Sequence, residues 1–325
     1  HTKAKAEEYP TTTAVMADLE ADTLDTAVLN SANTQLAEDS DTDFTNRFEV
    51  IATFTIKVKR TTASAQAPAD TSKPFAVYIS GIDTYGAIST VSRSDVNILA
   101  IVNPQTHQLL LVNTPRDYYV QLHGTTGAKD KLTHAGIYGV DMSRQTLADL
   151  YGIEIPYYLR VNFSSLTTIV DAVGGVNVYS DKDFKSFHTG YNQLNGKQAL
   201  EFSRERYSFS EGDRQRGRNQ QRVIEAIVAK MSTPGALVNY QSVLGSVQGA
   251  LQTNLPPSFI TGLAKQQIGN PKSWSTQSIS VDGTGSTGPT YSMGAQPLYI
   301  MIPDEASLNQ ARATIKQHLT ATLKP

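Results

Sequence analysis

Three short apolar runs between residues 75 and 113 constrain this fold more than any other feature of the chain. They are FAVYIS (75–80), VNILAIV (96–102) and HQLLLVN (107–113), the first two separated by GIDTYG and a polar stretch, the last two by the turn NPQT. Each run is continuous rather than alternating. A strand with one face in water alternates apolar and polar residues, so a continuous run asks for cover on both faces. Helices must supply that cover, and the sequence offers them: a helical pattern over 131–151, then YYLRVN as strand, FSSLTTIVDAVGG as a helix closed by glycines, and VNVYS as strand. Beyond a basic helix reaching about Met231, helices are expected at 236–251, 257–268 and 305–319, and strands at 274–281 and 298–302. Strands alternating with helices mean an α/β layered fold.

Residues 1–72 differ from this pattern. Thr, Ala, Asp and Ser dominate and glycine is absent. Met16, Leu19, Leu24, Val28, Leu29 and Leu36 fit an amphipathic helix, broken in two. Residues 44–59 alternate as a strand would, and TTASAQAPADTSKP (61–74) reads as a linker. The expectation is a small N-terminal α+β accessory domain over 1–72 and a main domain over 73–325.

With 325 residues the chain can bury a large core, and a net charge of −2 gives it no general attraction to nucleic acid or an anionic membrane. It has no cysteine, which excludes disulfides, thiolate zinc sites and a cysteine nucleophile. The longest apolar runs are too short to span a bilayer. No signal peptide is visible at His1, and the start reads like the middle of a longer protein whose membrane segment lies elsewhere.

The polar chemistry gathers in FSRERYSFSEGDRQRGRNQQR (202–222), where six of 21 residues are arginine. Arg204 and Arg206, two apart, would point the same way on an extended segment. Asp213, Arg216 and Gln220 share one face of a helix. A guanidinium stays charged and binds phosphate oxygens as a planar fork, and a helix start at Asp213 would add its positive end. Taken alone, the same run also describes a solvated basic helix balanced by Glu201, Glu205, Glu211 and Asp213. The strand ends tilt the reading towards a site. Asp83 follows the first run, Arg93 and Asp95 precede the second, and Arg116 and Asp117 follow the third, so one sheet edge can collect them. Each alone has a plainer reading, Asp83 as a turn residue and Asp95 as a partner of Arg93. Together they are what phosphoryl chemistry needs: two carboxylates suited to Mg²⁺ and arginine clamps. The glycine-rich GTTG (124–127) and GTGSTG (283–288) match no phosphate loop and read as surface loops, and His134 as structural or substrate-adjacent.

The ordered motifs GID (81–83), RSD (93–95), NTPRD (113–117), KLTHA (131–135), NF..L...VDAVGGV (162–176), LNGKQALEFSRER (194–206) and GDRQRGRNQQ (212–221) resemble the LytR–CpsA–Psr family, most of all its CpsA-type capsule biosynthesis members. The resemblance implies an α-β-α sandwich with a mixed central sheet and a greasy tunnel for a prenyl chain. It implies a membrane-anchored extracellular domain that binds polyprenyl pyrophosphate and moves a lipid-linked glycopolymer, capsule or wall teichoic acid, onto peptidoglycan. By motif position Asp83 and Asp95 would hold Mg²⁺, and Arg116, Arg204, Arg206, Arg216 and Gln220 the pyrophosphate. Asp213 would orient the arginines, with Arg93 beside the metal. Relatives carry arginine where this chain has Asn219, so one clamp residue is either missing or supplied by Arg218. Two other activities use similar residues: hydrolysis of polyprenyl pyrophosphate, and carrier-lipid binding without turnover as a regulator of capsule synthesis. Nucleic-acid binding fits least, since the basic residues crowd one short segment.

Overall fold

The three apolar runs form neighbouring strands β1 (Phe75–Gly81), β2 (Val96–Asn103) and β3 (Gln108–Asn113) at the heart of a six-stranded sheet. The structure is a computed structural model that describes residues 9, 12–29, 34, 43–52, 71–85, 88–89, 91–233, 240–247 and 249–322. β1 and β2 pair antiparallel, as do β2 and β3. β6 (Tyr157–Val161) runs parallel to β1 and β10 (Ser275–Ser280) parallel to β3, while β9 (Gln252–Thr253) closes the other edge antiparallel to β6. The strand order is β10-β3-β2-β1-β6-β9, a mixed sheet.

Both faces are covered, as continuous apolar strands require. Ala76, Tyr78, Leu99, Ile101, Leu110 and Val112 pack with Leu147 and Tyr151 of the Val140–Tyr151 helix and Leu308, Ala311 and Ile315 of the Glu305–Thr320 helix. The alternate residues Phe75, Val77, Ile98, Ala100, Leu109 and Leu111 face Phe259 of the Pro257–Gly269 helix and Ile224 and Val228 of the Asp213–Met231 helix. Each wholly buried aliphatic side chain is worth about 1.5–3 kcal/mol of apolar burial. The architecture is the α-β-α sandwich. A separate apolar cluster (Val176, Val178, Phe184, Phe187, Leu194, Phe202 and Val223) holds a hairpin against the Gly196–Arg204 and Asp213–Met231 helices. That hairpin is β7 (Val176–Ser180) with β8 (Gly190–Leu194), so VNVYS is a strand outside the central sheet.

Four local expectations change. The first helix covers only Thr12–Glu20, and Leu24, Val28 and Leu29 lie in irregular chain, with Val28 almost fully exposed. Residues 44–47 are helical, Phe44–Arg47, and no strand occurs at 48–52; residues 53–59 lie outside the described residues. Asp43 starts that turn: its carbonyl accepts from Asn46 N at 3.1 Å and its carboxylate from Asn46 Nδ2 at 2.7 Å. Local side-chain bonds of this kind outcompete a weak alternation. The glycine-rich 283–288 stretch is strand β11 (Gly283–Thr290), paired antiparallel with β12 (Gly294–Pro303). Its glycines permit close approach: a Cβ at Gly283 would lie 2.4 Å from Ile302 O. Arg204 ends a helix and not an extended segment. Asn195 and Gln198 form a capping box that starts that helix, each side chain bonded to the other's backbone N–H. No helix among the described residues is long and apolar enough to cross a membrane.

Candidate functional site

Of the predicted residues, Asp95 and Arg116 meet where β1 ends, β2 begins and β3 ends. Because β2 runs against both neighbours, its start lies beside their ends. Asp95 N donates to Gly81 O at 2.9 Å, and Thr114 N to Asn97 O at 2.9 Å. The side chain of Asp95 is almost fully buried; its Oδ1 accepts from Arg116 Nη1 at 3.2 Å and Thr133 Oγ1 at 2.9 Å. Burial alone would raise its pKa, but the charges of Arg116 and Arg93 and the Thr133 bond outweigh it and hold the carboxyl below its usual range. Arg216 adds to that pull. Three guanidiniums, Arg93, Arg116 and Arg216, therefore act on one buried carboxylate.

Arg116 is itself enclosed by acids. Desolvation would lower its pKa, and Asp95, Asp117 and Asp213 more than restore it. Asp117 lies 3.6 Å from Arg116 Nε and 2.5 Å from Lys131 Nζ, so it is shared between two cations. On the Asp213–Met231 helix, Asp213 is the first residue, after Gly212 at φ +49°, and it pairs with Arg216 one turn on. Arg216 is 13% exposed, while Gln220 lies half-buried one further turn along.

A second charged pair involves the last residue of the Gly196–Arg204 helix. The Arg204 guanidinium lies 3.8 Å from Asp83 Oδ1 and 4.0 Å from the centre of the Phe163 ring. Stacking on a ring face leaves the in-plane N–H donors of an arginine free for oxygen ligands. Arg206 stacks on its neighbour Tyr207 at 4.7 Å and donates to its hydroxyl. Asn219 is wholly buried, donating to Phe202 O and accepting from Gln215. Arg218 is tied to Glu211 and Gln215.

Thr133 escaped the sequence reading, although it sits inside KLTHA. Its side chain bonds Asp95, its N–H bonds Arg116 O at 2.8 Å, and its carbonyl accepts from Ser94 N at 3.0 Å. One residue thus ties the strand-end acid to the strand-end base. The adjacent His134 is structural: its Nδ1 lies 2.7 Å from the buried Asp130, which also accepts from Ser292.

The acid set suits a hard cation completed by a ligand. Among the described residues no three metal-binding side chains cluster. Mg²⁺ is commonly held by one or two carboxylates with substrate phosphate oxygens and water. Asp95 spends Oδ1 on Arg116 and Thr133, which leaves Oδ2 for such an ion, and Asp83 is half-exposed nearby in the Arg204 pair.

Residues 26–310 match the LytR_cpsA_psr family. The chain belongs to the LytR–CpsA–Psr family. Among curated members it is 38% identical over 189 residues to the polyisoprenyl-teichoic acid–peptidoglycan teichoic acid transferase TagU of Bacillus cereus, covering 57% of this chain and 61% of that protein. It is 29% identical over 263 residues to the corresponding transferase TagV of Bacillus subtilis, covering 77% of this chain and 66% of that one. The matched part thus spans about three fifths to two thirds of these family members. The crystal structure of B. subtilis TagV superposes with a TM-score of 0.64 at 27% identity, over 78% of this chain and 99% of that one. A crystal structure from Streptococcus agalactiae gives 0.63 at 28% identity, over 78% and 91%.

Proposed function

We propose that this chain is the catalytic part of a glycopolymer transferase, which moves a polyprenyl-pyrophosphate-linked polymer, capsular polysaccharide or wall teichoic acid, onto peptidoglycan. The observation that carries the reading is Arg116 paired with the buried Asp95 at the sheet edge, where the charges of Arg93 and Arg216 also act on that carboxylate, together with Arg204 on Asp83. A solvated basic face does not bury its guanidiniums among carboxylates in this way. The names of the related transferases supply the reaction class.

In this reading residues 73–325 are the catalytic domain and 1–72 an accessory element. The domain works on the extracellular face of the cell membrane, anchored by a segment outside this chain. Arg116, Arg204, Arg206, Arg216 and Gln220 bind the pyrophosphate, and Asp213 holds Arg216 in place. A sugar hydroxyl of peptidoglycan attacks the phosphorus nearer the polymer. A new P–O bond forms, the bond to the bridging oxygen breaks, the hydroxyl proton passes to water or to the departing phosphate, and polyprenyl phosphate leaves with the charge. Fixed guanidiniums stabilise that charge without having to reorganise as it develops. Mg²⁺, held by Asp83 and Asp95, would supply further charge neutralisation at the phosphate oxygens.

The test is to incubate a labelled lipid-linked glycopolymer with the protein, with and without peptidoglycan, with and without Mg²⁺. Label joined to peptidoglycan is expected. Release of free sugar phosphate at the same rate without peptidoglycan would instead mean a pyrophosphohydrolase, and binding without any turnover a carrier-lipid-binding regulator.

A further inference from the structure

The clamp accounts for the charged part of the donor and leaves its sugar unrecognised. A neutral sugar cannot be held by ion pairs. It can be held by an aromatic ring, because one face of a pyranose presents a row of axial C–H groups while the hydroxyls point outwards. Tyr85 is such a ring. It stands two residues beyond Asp83 and is 67% exposed; Tyr191 and Tyr207 are more exposed still, and what sets Tyr85 apart is its contact with the ring that carries Arg204. Its ring meets Phe163 edge-on, with centroids 4.9 Å apart and planes at 63°. Phe163 in turn carries the Arg204 guanidinium on its face at 4.0 Å, and that guanidinium is 3.8 Å from Asp83. The backbone is tied at the same place, Phe163 N donating to Thr84 O at 3.3 Å. Phe163 does the packing; Tyr85 rests on it and shows the rest of its ring to solvent.

We infer that Tyr85, supported by Phe163, is a sugar-stacking shelf for the pyranose ring attached to the pyrophosphate. The inference rests on the pyrophosphate reading of the arginine clamp and adds a specificity determinant to it. Continuity argues for a sugar as the occupant: a single guanidinium spans from the Asp83 carboxylate to the Phe163 ring that supports Tyr85. A sugar joined to phosphate by one glycosidic oxygen lies within about a ring's length of that phosphate. Arg204 then has two neighbours on the donor, phosphate oxygens at its N–H edge and the sugar beside its aromatic support. The shelf reads the ring face and not charge, so it takes neutral hexoses and N-acetylhexosamines alike.

The test compares two probes on the whole chain: a short polyprenyl pyrophosphate, bare and carrying a single N-acetylhexosamine. Equilibrium binding is measured for the wild type, Tyr85→Ala and Tyr85→Phe. Tyr85→Ala is expected to weaken the sugar-bearing probe about three- to tenfold, the scale of one aromatic contact, and to leave the bare probe unchanged. Tyr85→Phe keeps the ring and is expected to bind both like the wild type. Equal weakening of both probes by Tyr85→Ala would place the ring on the headgroup or prenyl chain and overturn the shelf, as would no weakening of either. Failure of the wild type to bind the bare probe is a different result: it removes the clamp reading itself, and the shelf with it.

Discussion

At the scale of single residues, charge does two jobs at once. Arg116, proposed to hold the pyrophosphate, also neutralises the buried Asp95. Arg116→Ala should therefore reduce transfer about 10²–10³-fold, the size of one lost preorganised charge contact. It should also lower stability by about 1–3 kcal/mol, because Asp95 keeps its burial and loses its nearest cation. Thermal unfolding beside a transfer assay checks both. Unchanged transfer with unchanged melting would remove Arg116 from the site. The positions of Asp83, Asp95, Arg116, Arg204, Asp213 and Arg216 were legible as ordered motifs, although each alone had a plainer structural reading. Thr133 was not legible, because a threonine in a helical turn carries no sign of which carboxylate it will bond. The role of Asn219 was also hidden. Its amide has become a buried link between Phe202 O and Gln215, and only burial reveals that.

At the scale of elements, the site depends on one close approach. The turn after the Leu132–Ala135 helix passes so near the 92–94 segment that a Cβ on Gly136 would lie 2.5 Å from Ser94 N and 2.7 Å from Ser92 O. Backbone cannot give way there as a flexible side chain would. Gly136→Ala should push Thr133 away from Asp95, lowering both melting temperature and activity, although no charge is touched. Gly245→Ala is the counterpart. Gly245 lies inside the Tyr240–Val247 helix with nothing within 4 Å of its would-be Cβ, so that change should stabilise by about 0.5–1 kcal/mol and leave activity alone. A Gly136→Ala protein as stable and active as the wild type would show that the approach is not tight. The sequence foretold the strands at this scale because continuous apolar runs have few other uses. It misread the Phe44–Arg47 turn, where Asp43 bonds the side chain of Asn46, and it set Arg204 on an extended segment because the Asn195 cap that starts the Gly196–Arg204 helix leaves the apolar pattern unchanged.

At the scale of the whole molecule, burying carboxylates beside cations makes stability depend on pH. Burial would raise the Glu205 pKa, but Lys185, 2.5 Å away, and Ser208 overcome this and bring it to about 2, from an ordinary 4.5. The folded form therefore binds that proton less readily than the unfolded chain. The stability gained is fully present above about pH 4.5 and is lost as pH falls through about 2. Asp95 is shifted the same way. Glu205→Gln should lower the melting temperature at neutral pH, and its deficit should shrink as pH falls through that window. A deficit that stays constant with pH would contradict the assignment.

The central claim is that the arginines at the sheet edge hold a prenyl-linked pyrophosphate, and mass spectrometry of a denaturing organic extract tests it most directly. Wild-type protein, loaded with polyprenyl pyrophosphate in detergent and washed, is predicted to release that lipid. A double variant, Arg116→Ala with Arg216→Ala, is predicted to release little or none. An empty extract from the loaded wild type, or equal lipid from both proteins, would contradict the account and leave the cluster as charged surface.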